Sequence, residues 1–206
     1  MPENEKPPAM RVDIYCCCKG SCGGQVDLLI EGHGRFNIPT GIKIAKELEQ
    51  FKPMFFEEPV PPDNLDALKA VKDKSPVAIS AGERLYTRWD YRPMFDKMAA
   101  DYIQLDISHA GGIMELKKIA AEAESRYIPF APHNPSGPVA NAATLQLAAT
   151  CPNFEILEIM YSDVDWRKDS FCKFQHSIQG NSKQNCIFCL QRRTAWNDAR
   201  NGIRFG

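Results

Sequence analysis

The sequence predicts an α/β fold, a (β/α) barrel with parallel strands inside and helices outside, and three observations carry that prediction. Six apolar runs end on an acid or a histidine, at Glu31, Glu57, Glu83, Asp106, His133 and Glu158, at intervals of 26, 26, 23, 27 and 25 residues. That spacing is about one βα unit, and each of the first five runs is followed by a loop and a segment with helical periodicity. The runs are apolar on both faces, as strands covered by helices on a parallel sheet must be. Polar residues closing successive parallel strands all face one rim, the rim where such barrels do their chemistry. The pattern therefore predicts an enzyme-like site.

Taken in order, residues 1–24 show no periodicity and read as an irregular lead-in. VDLLI, ending at Glu31, is the first strand, and IKIAKELEQF (42–51) carries apolar residues at helical spacing. MFFEE is the second strand, stopped by Pro59, and Asp63 or Asn64 can cap the helix LDALKAVKD. VAISAGE is the third, before a helix over 88–97. DYIQLDIS is the fourth, after which Gly111 and Gly112 let the backbone turn tightly into IMELKKIAAEAESR. YIPFAPHNP is the fifth, before an alanine-rich helix near 139–149, and NFEILEIM is the sixth. Regular order stops after Trp166, so the division is 1–24 lead-in, 25–167 barrel domain and 168–206 irregular basic tail.

Composition sets outer bounds. The chain has 206 residues, 44% hydrophobic and 25% charged, enough for one large domain with a real core. The net charge of −1 hides an asymmetry: eight Lys/Arg against two Asp/Glu from Arg167 onward leave the first 166 residues at −7. An acidic body suits a cation site built from carboxylates. No run of 18 apolar residues exists, so no membrane span is expected. The opening MPENEKPPAM lacks a signal-peptide pattern, which predicts a cytoplasmic chain with reduced thiols. Cys16, Cys17, Cys18 and Cys22 crowd one end and Cys172, Cys186 and Cys189 the other, leaving only Cys151 in the regular body, so no disulfide framework is expected. Cys172, His176, Cys186 and Cys189 could ligate zinc, but a solvated end is the favoured reading. Basic residues there come without an aromatic platform, so no nucleic-acid partner is expected.

Glu31, Glu57 and Glu83 close consecutive strands and can converge on one cation. Hard oxygen ligands favour Mg²⁺, with Mn²⁺ as substitute. Such an ion can hold a substrate carboxylate and stabilise the enediolate left when the α-proton departs. Glu58 points to the opposite face from Glu57 and is expected to be a salt-bridge partner; Glu155 is out of register with Glu158 and is expected at the surface. His33, two residues after Glu31, is expected to share its face of the strand. Arg84 could hold a substrate carboxylate or brace Glu83, and His109 could touch substrate or serve the loop after Asp106.

FFEEPVPPDN, ISAGERLYTR, IQLDISHAGGIMELKKIA, FAPHNPSGPVANAATLQLAA and NFEILE resemble the carboxy-terminal barrel of the enolase superfamily, in its mandelate racemase and muconate lactonizing branch. The sugar-acid dehydratases, such as galactonate dehydratase, are the most alike. The resemblance implies a TIM-type barrel and a Mg²⁺-dependent hydro-lyase that turns an aldonate into a 2-keto-3-deoxyaldonate. It implies Glu31, Glu57 and Glu83 as metal ligands, Asp106 and His133 as a hydrogen-bonded dyad, and Glu158 as a substrate-facing acid. In these dehydratases an acid-x-His pair supplies the first ligand and a catalytic histidine. His33 is accordingly assigned as the base that takes the α-proton and His133 as the acid at the leaving hydroxyl. The partner is then a small sugar acid.

The sequence departs from the family's pattern in three ways. Glu31 stands where members have Asp, and the additional methylene carries the carboxylate outward. The capping domain and first two barrel units have no counterpart, leaving about six recognisable βα units in a partial barrel. The tail after Arg167 does not resemble the family. Open sheet edges leave room for a homo-oligomer. Racemisation or epimerisation within the superfamily, and a non-catalytic truncated fragment, are the rival readings. Weak or absent turnover is expected of this chain.

Overall fold

A computed structural model of the chain describes residues 27–159. The lead-in 1–24, the basic tail 168–206 and every cysteine except Cys151 lie outside the described residues. Elements alternate as the apolar runs predict: β1 (Leu29–Glu31), α1 (Ile38–Leu48) with a 3₁₀ turn (Glu49–Phe51), β2 (Phe55–Glu57), α2 (Leu65–Lys72), β3 (Ile79–Ala81), α3 (Arg88–Lys97), β4 (Tyr102–Ile103), α4 (Ile113–Glu124) and α5 (Pro138–Ala148). The strands are parallel and adjacent in chain order, β1-β2-β3-β4. Two further strand positions continue the order as single parallel bridges, Ile103 to Phe130 and Phe130 to Phe154. Six successive strand positions, the first five each followed by a helix, therefore form a partial TIM-type barrel.

Ladder hydrogen bonds are shorter than the apolar runs, and the fifth position shows why. Pro129 and Pro132 have no N–H to give, so the run IPFAP can only pair at isolated residues. Phe130 N donates to Asn153 O at 2.8 Å and Ala131 N to Ile103 O at 2.9 Å, which places the fifth position between its neighbours.

Side chains alternate across each strand and sort into two cores. Ile30, Phe56, Ile79, Ile103 and Phe130 face outward and pack with Ala45, Leu48, Leu68, Val71, Phe95, Leu116, Ile119 and Leu147 from the helices. Phe55, Ala131 and Ile156 face inward, with Leu29, Met54, Ala78 and Tyr102 packed against them. Phe55 and Glu57 share a strand face by period two, so this smaller apolar layer lies beneath the carboxylates.

Helix boundaries follow local caps. The expected helix over 42–51 begins instead at Ile38, because Asn37 accepts a hydrogen bond from Thr40 N and Pro39 fits the first turn. Asn64 rather than Asp63 caps α2, accepting from Asp66 N and Ala67 N. Asp90 closes a capping box with Thr87 at the start of α3. Gly111 (φ 91°) and Gly112 (φ 81°) make the left-handed turn into α4 that only glycine enters readily. Glu155, expected at the surface, is half-buried, and burial raises its carboxyl above the usual range. Among the described residues, no helix is long and apolar enough to cross a membrane.

Candidate active site

The strand ends bring Glu31, Glu57 and Glu83 together, with one carboxylate oxygen from each lying within 4.8 Å of the others. Register explains the first two: Glu31 pairs with Glu57 across β1 and β2. Glu83 lies beyond the end of β3, after Gly82 (φ 130°). Tyr91 of α3, fully buried, donates its phenol to Gly82 O at 2.6 Å and ties this turn to the helix behind it. Burial raises the Tyr91 phenol, so it keeps its proton.

Like charges at close quarters shape the electrostatics. Glu57 is only 8% exposed, and burial, followed by the Glu31 charge, pushes its carboxyl up to about 10. Burial raises Glu31 as well. Glu57 Oε1 is buried without a hydrogen-bond partner. Three converging acids that cannot all ionise unaided are a donor set fit for a hard cation. Glu58 is buried at φ 35° and sits 3.2 Å from Arg84 Nε, so it is an ion-pair partner as expected, and burial lifts it to about 7.

Close contact between strands at this rim depends on Gly32. A Cβ there would lie 2.8 Å from the carbonyl oxygens of both Glu57 and Glu58, backbone atoms that cannot swing aside. Gly32 N also donates to Glu57 O at 2.8 Å. Gly32→Ala is expected to cost about 1–3 kcal/mol in a urea melt and to weaken whatever divalent-ion binding calorimetry detects, because it pries Glu31 from Glu57. An unchanged isotherm would show that the strand ends move independently.

A second group stands beside the acids. His133 Nδ1 lies 2.8 Å from Asp106 Oδ2, while its Nε2 is 3.2 Å from Glu83 Oε2 and 3.9 Å from Glu158 Oε2. Burial works against protonation of His133, but the Asp106 hydrogen bond and the Glu158 and Glu83 charges outweigh it and raise the ring above the usual histidine value. Burial likewise opposes ionisation of Asp106, yet His133 and Ser108 N, which donates to Oδ1 at 2.7 Å, hold it below the carboxylate range. Glu158 accepts from Asn134 N at 3.1 Å, and burial raises it.

Three expected residues sit less simply. β1 ends at Glu31, so His33 is not on its strand face: it lies in a turn at φ 53°, followed by Gly34 at φ 63°. Strand alternation stops where the ladder stops. His33 N donates to Glu31 Oε1, and its ring Nδ1 is 3.9 Å from the same oxygen. Arg84 is held between Glu58 and Glu83, each 3.2 Å from its Nε, and its Nη2 donates to His33 O at 3.3 Å. His109 Nδ1 lies 3.0 Å from Glu83 O, with its ring centroid 6.1 Å from that of His133. Gln104 went unread in the sequence: it is buried in the barrel, and its side chain works against the burial that raises the Glu57 carboxyl. Its position two residues before Asp106, on the same face of one run, was the available signal.

Known proteins resemble this chain in sequence and in fold. Residues 6–181 match the family model described as enolase C-terminal domain-like. The D-gluconate/D-galactonate dehydratase of Picrophilus torridus is 36% identical over 165 residues, 80% of this chain and 42% of that protein. A mandelate racemase/muconate lactonizing enzyme-like protein from Rubrobacter xylanophilus superposes with a TM-score of 0.72 at 43% identity, over 75% of this chain and 39% of its own. An enolase from Agrobacterium radiobacter, solved with bound Na and L-malate, gives a TM-score of 0.69 at 32% identity, over 72% of this chain and 38% of its own. The chain thus spans about two fifths of the length of these relatives.

Proposed function

The chain belongs to the enolase C-terminal domain-like family, whose members depend on metal ions, and from that premise we propose that it acts as a sugar-acid dehydratase converting an aldonate to its 2-keto-3-deoxy product. The observation that carries the reading is His133, held by Asp106 at 2.8 Å on one side and facing Glu83 at 3.2 Å on the other. That places a proton-bearing ring beside a carboxylate cluster suited to a cation. The dehydratase name of the Picrophilus relative supports the substrate class.

In this proposal Glu31, Glu57 and Glu83 hold Mg²⁺. When bound, the ion supplies positive charge opposite a substrate carboxylate that gains negative charge as its α-proton leaves. His33 takes the α-proton, the C–H electrons become the C2–C3 double bond, and the C3–O bond breaks toward the hydroxyl. His133 gives that oxygen a proton, so water departs, and the enol left behind tautomerises to the 2-keto acid. Asp106 keeps the His133 ring oriented and charged for the donation. Glu158 faces the substrate beside it. Arg84, already bound to two acids, braces Glu83 and the His33 turn, while His109 contacts the substrate. The chemistry suits a cytoplasmic protein acting on a small soluble acid, and the outer place of β1 in the sheet among the described residues suits a homo-oligomer.

Aldonates incubated with the chain, with and without Mg²⁺, test the reading by appearance of a 2-keto product. Metal-dependent product is expected, at a low rate. Exchange of the α-hydrogen with deuterated solvent without loss of water would replace dehydration with racemisation. Glu57→Gln checks the cation site separately. At a Mg²⁺ concentration about 100-fold over its dissociation constant, the ion should stabilise the chain by about 2.7 kcal/mol. Glu57→Gln should abolish that shift while raising the melting temperature measured in chelator near pH 7, since the buried carboxyl that must take up a proton to fold is gone. A retained Mg²⁺ shift would move the ion elsewhere.

A further inference from the structure

We propose that Asp106, His109 and His133 form a second metal site, suited to a borderline ion such as Zn²⁺, and that its occupation arrests proton transfer at His133. One ligand atom from each of these residues lies within 4.8 Å of the other two, as the three glutamates do, but the donor set differs in kind. Two imidazoles and one carboxylate favour Zn²⁺ and its neighbours, whereas three carboxylates favour Mg²⁺.

The distances bracket those around a tetrahedral ion, so small side-chain rotations would close the site. Bonds of about 2.0–2.1 Å separate ligand atoms by about 3.3 Å. Asp106 Oδ2 lies 2.8 Å from His133 Nδ1 and 3.8 Å from His109 Nδ1, on either side of that value. Asp106 is almost wholly buried and fixed by Ser108 N at 2.7 Å and His109 N at 3.2 Å, so one ligand is rigid. The His109 side chain is 44% exposed and can turn, giving up its contact with Glu83 O. Glu83 and Glu158, at the far side of His133, add negative charge that attracts a cation.

The ion would take His133 Nδ1 in place of its proton. The ring could then hold one proton at most, at Nε2, and could not become the imidazolium that protonates a leaving hydroxyl. That consequence rests on the proposed role of His133; the binding site itself does not.

Zn²⁺ titrated by calorimetry into the chain in excess Mg²⁺ tests the site, comparing wild type with His109→Ala. The wild type should bind one Zn²⁺ that His109→Ala loses or binds at least about tenfold more weakly, the lower end of what even outer-shell losses cost. Ions taken up by cysteines cancel in the difference. Identical Zn²⁺ isotherms would overturn the proposal, as would a Zn²⁺ site lost in Glu57→Gln with His109 intact. Should His109→Ala fail to fold, carbethoxylation of the wild type decides: Zn²⁺ should protect His109 from diethyl pyrocarbonate, located by mass spectrometry, and equal modification with and without Zn²⁺ refutes the site. A Mg²⁺-dependent dehydratase with no such protection would keep the proposed function and lose only this inference.

Discussion

His133→Asn is expected to lower turnover of a sugar acid by about 10²–10⁴-fold, the range for loss of a positioned proton donor, while Mg²⁺ binding in calorimetry stays within a few-fold. Asparagine is the informative replacement because its amide can still donate to Asp106, which is almost wholly buried and would otherwise be left as an unpaired charge. The variant should therefore fold, and the loss should appear in the chemical step. The contrast with Glu57→Gln separates the two proposed functions: one substitution should remove proton transfer with the ion retained, and the other should remove the ion. A fall of less than about tenfold would shift the acid role from His133 to another group.

Phe130→Ala is expected to destabilise the chain by about 3–5 kcal/mol, measured as a lower urea midpoint at an unchanged slope. Phe130 is fully buried, packs edge-on against Phe154 at 6.1 Å, and its backbone bridges both Ile103 and Phe154. Total stabilities of small domains run about 5–15 kcal/mol, so a substantial part of the fold depends on one ring. The fifth strand position is held by this side chain together with backbone hydrogen bonds to both neighbours, among them Ala131 N to Ile103 O and Glu155 N to Phe130 O, each at 2.9 Å. A cost under about 1 kcal/mol would mean that neighbouring side chains collapse into the space.

Much of the architecture was legible because barrel strands are apolar on both faces and break abruptly at the functional rim. The endings at Glu31, Glu57, Asp106 and His133 marked that rim correctly as one surface, and the three glutamates do meet. Strand length was not legible. A run such as IPFAP looks like a strand by hydrophobicity, yet hydrogen bonding depends on N–H groups that proline lacks. His33 illustrates the same limit: period two holds only while the chain stays extended, and the left-handed turn after Glu31 re-aims the ring. Gln104 was overlooked because its one signal, a place two residues before Asp106, is read only by someone already following that face of the strand, and an apolar run draws the eye to its apolar residues. The helix over 38–48 started early for a reason visible in the sequence, Asn37 followed by Pro39, which a search for apolar spacing alone passes over.

The phenol of Tyr91 anchors Gly82 O from the back of the barrel, one residue before an acid that faces its mouth. Seating of an outer helix and placement of an inner carboxylate are therefore parts of a single mechanical linkage. Whatever loosens α3 at the periphery loosens the third glutamate too, so the geometry of the acid cluster can drift through changes that never come near it.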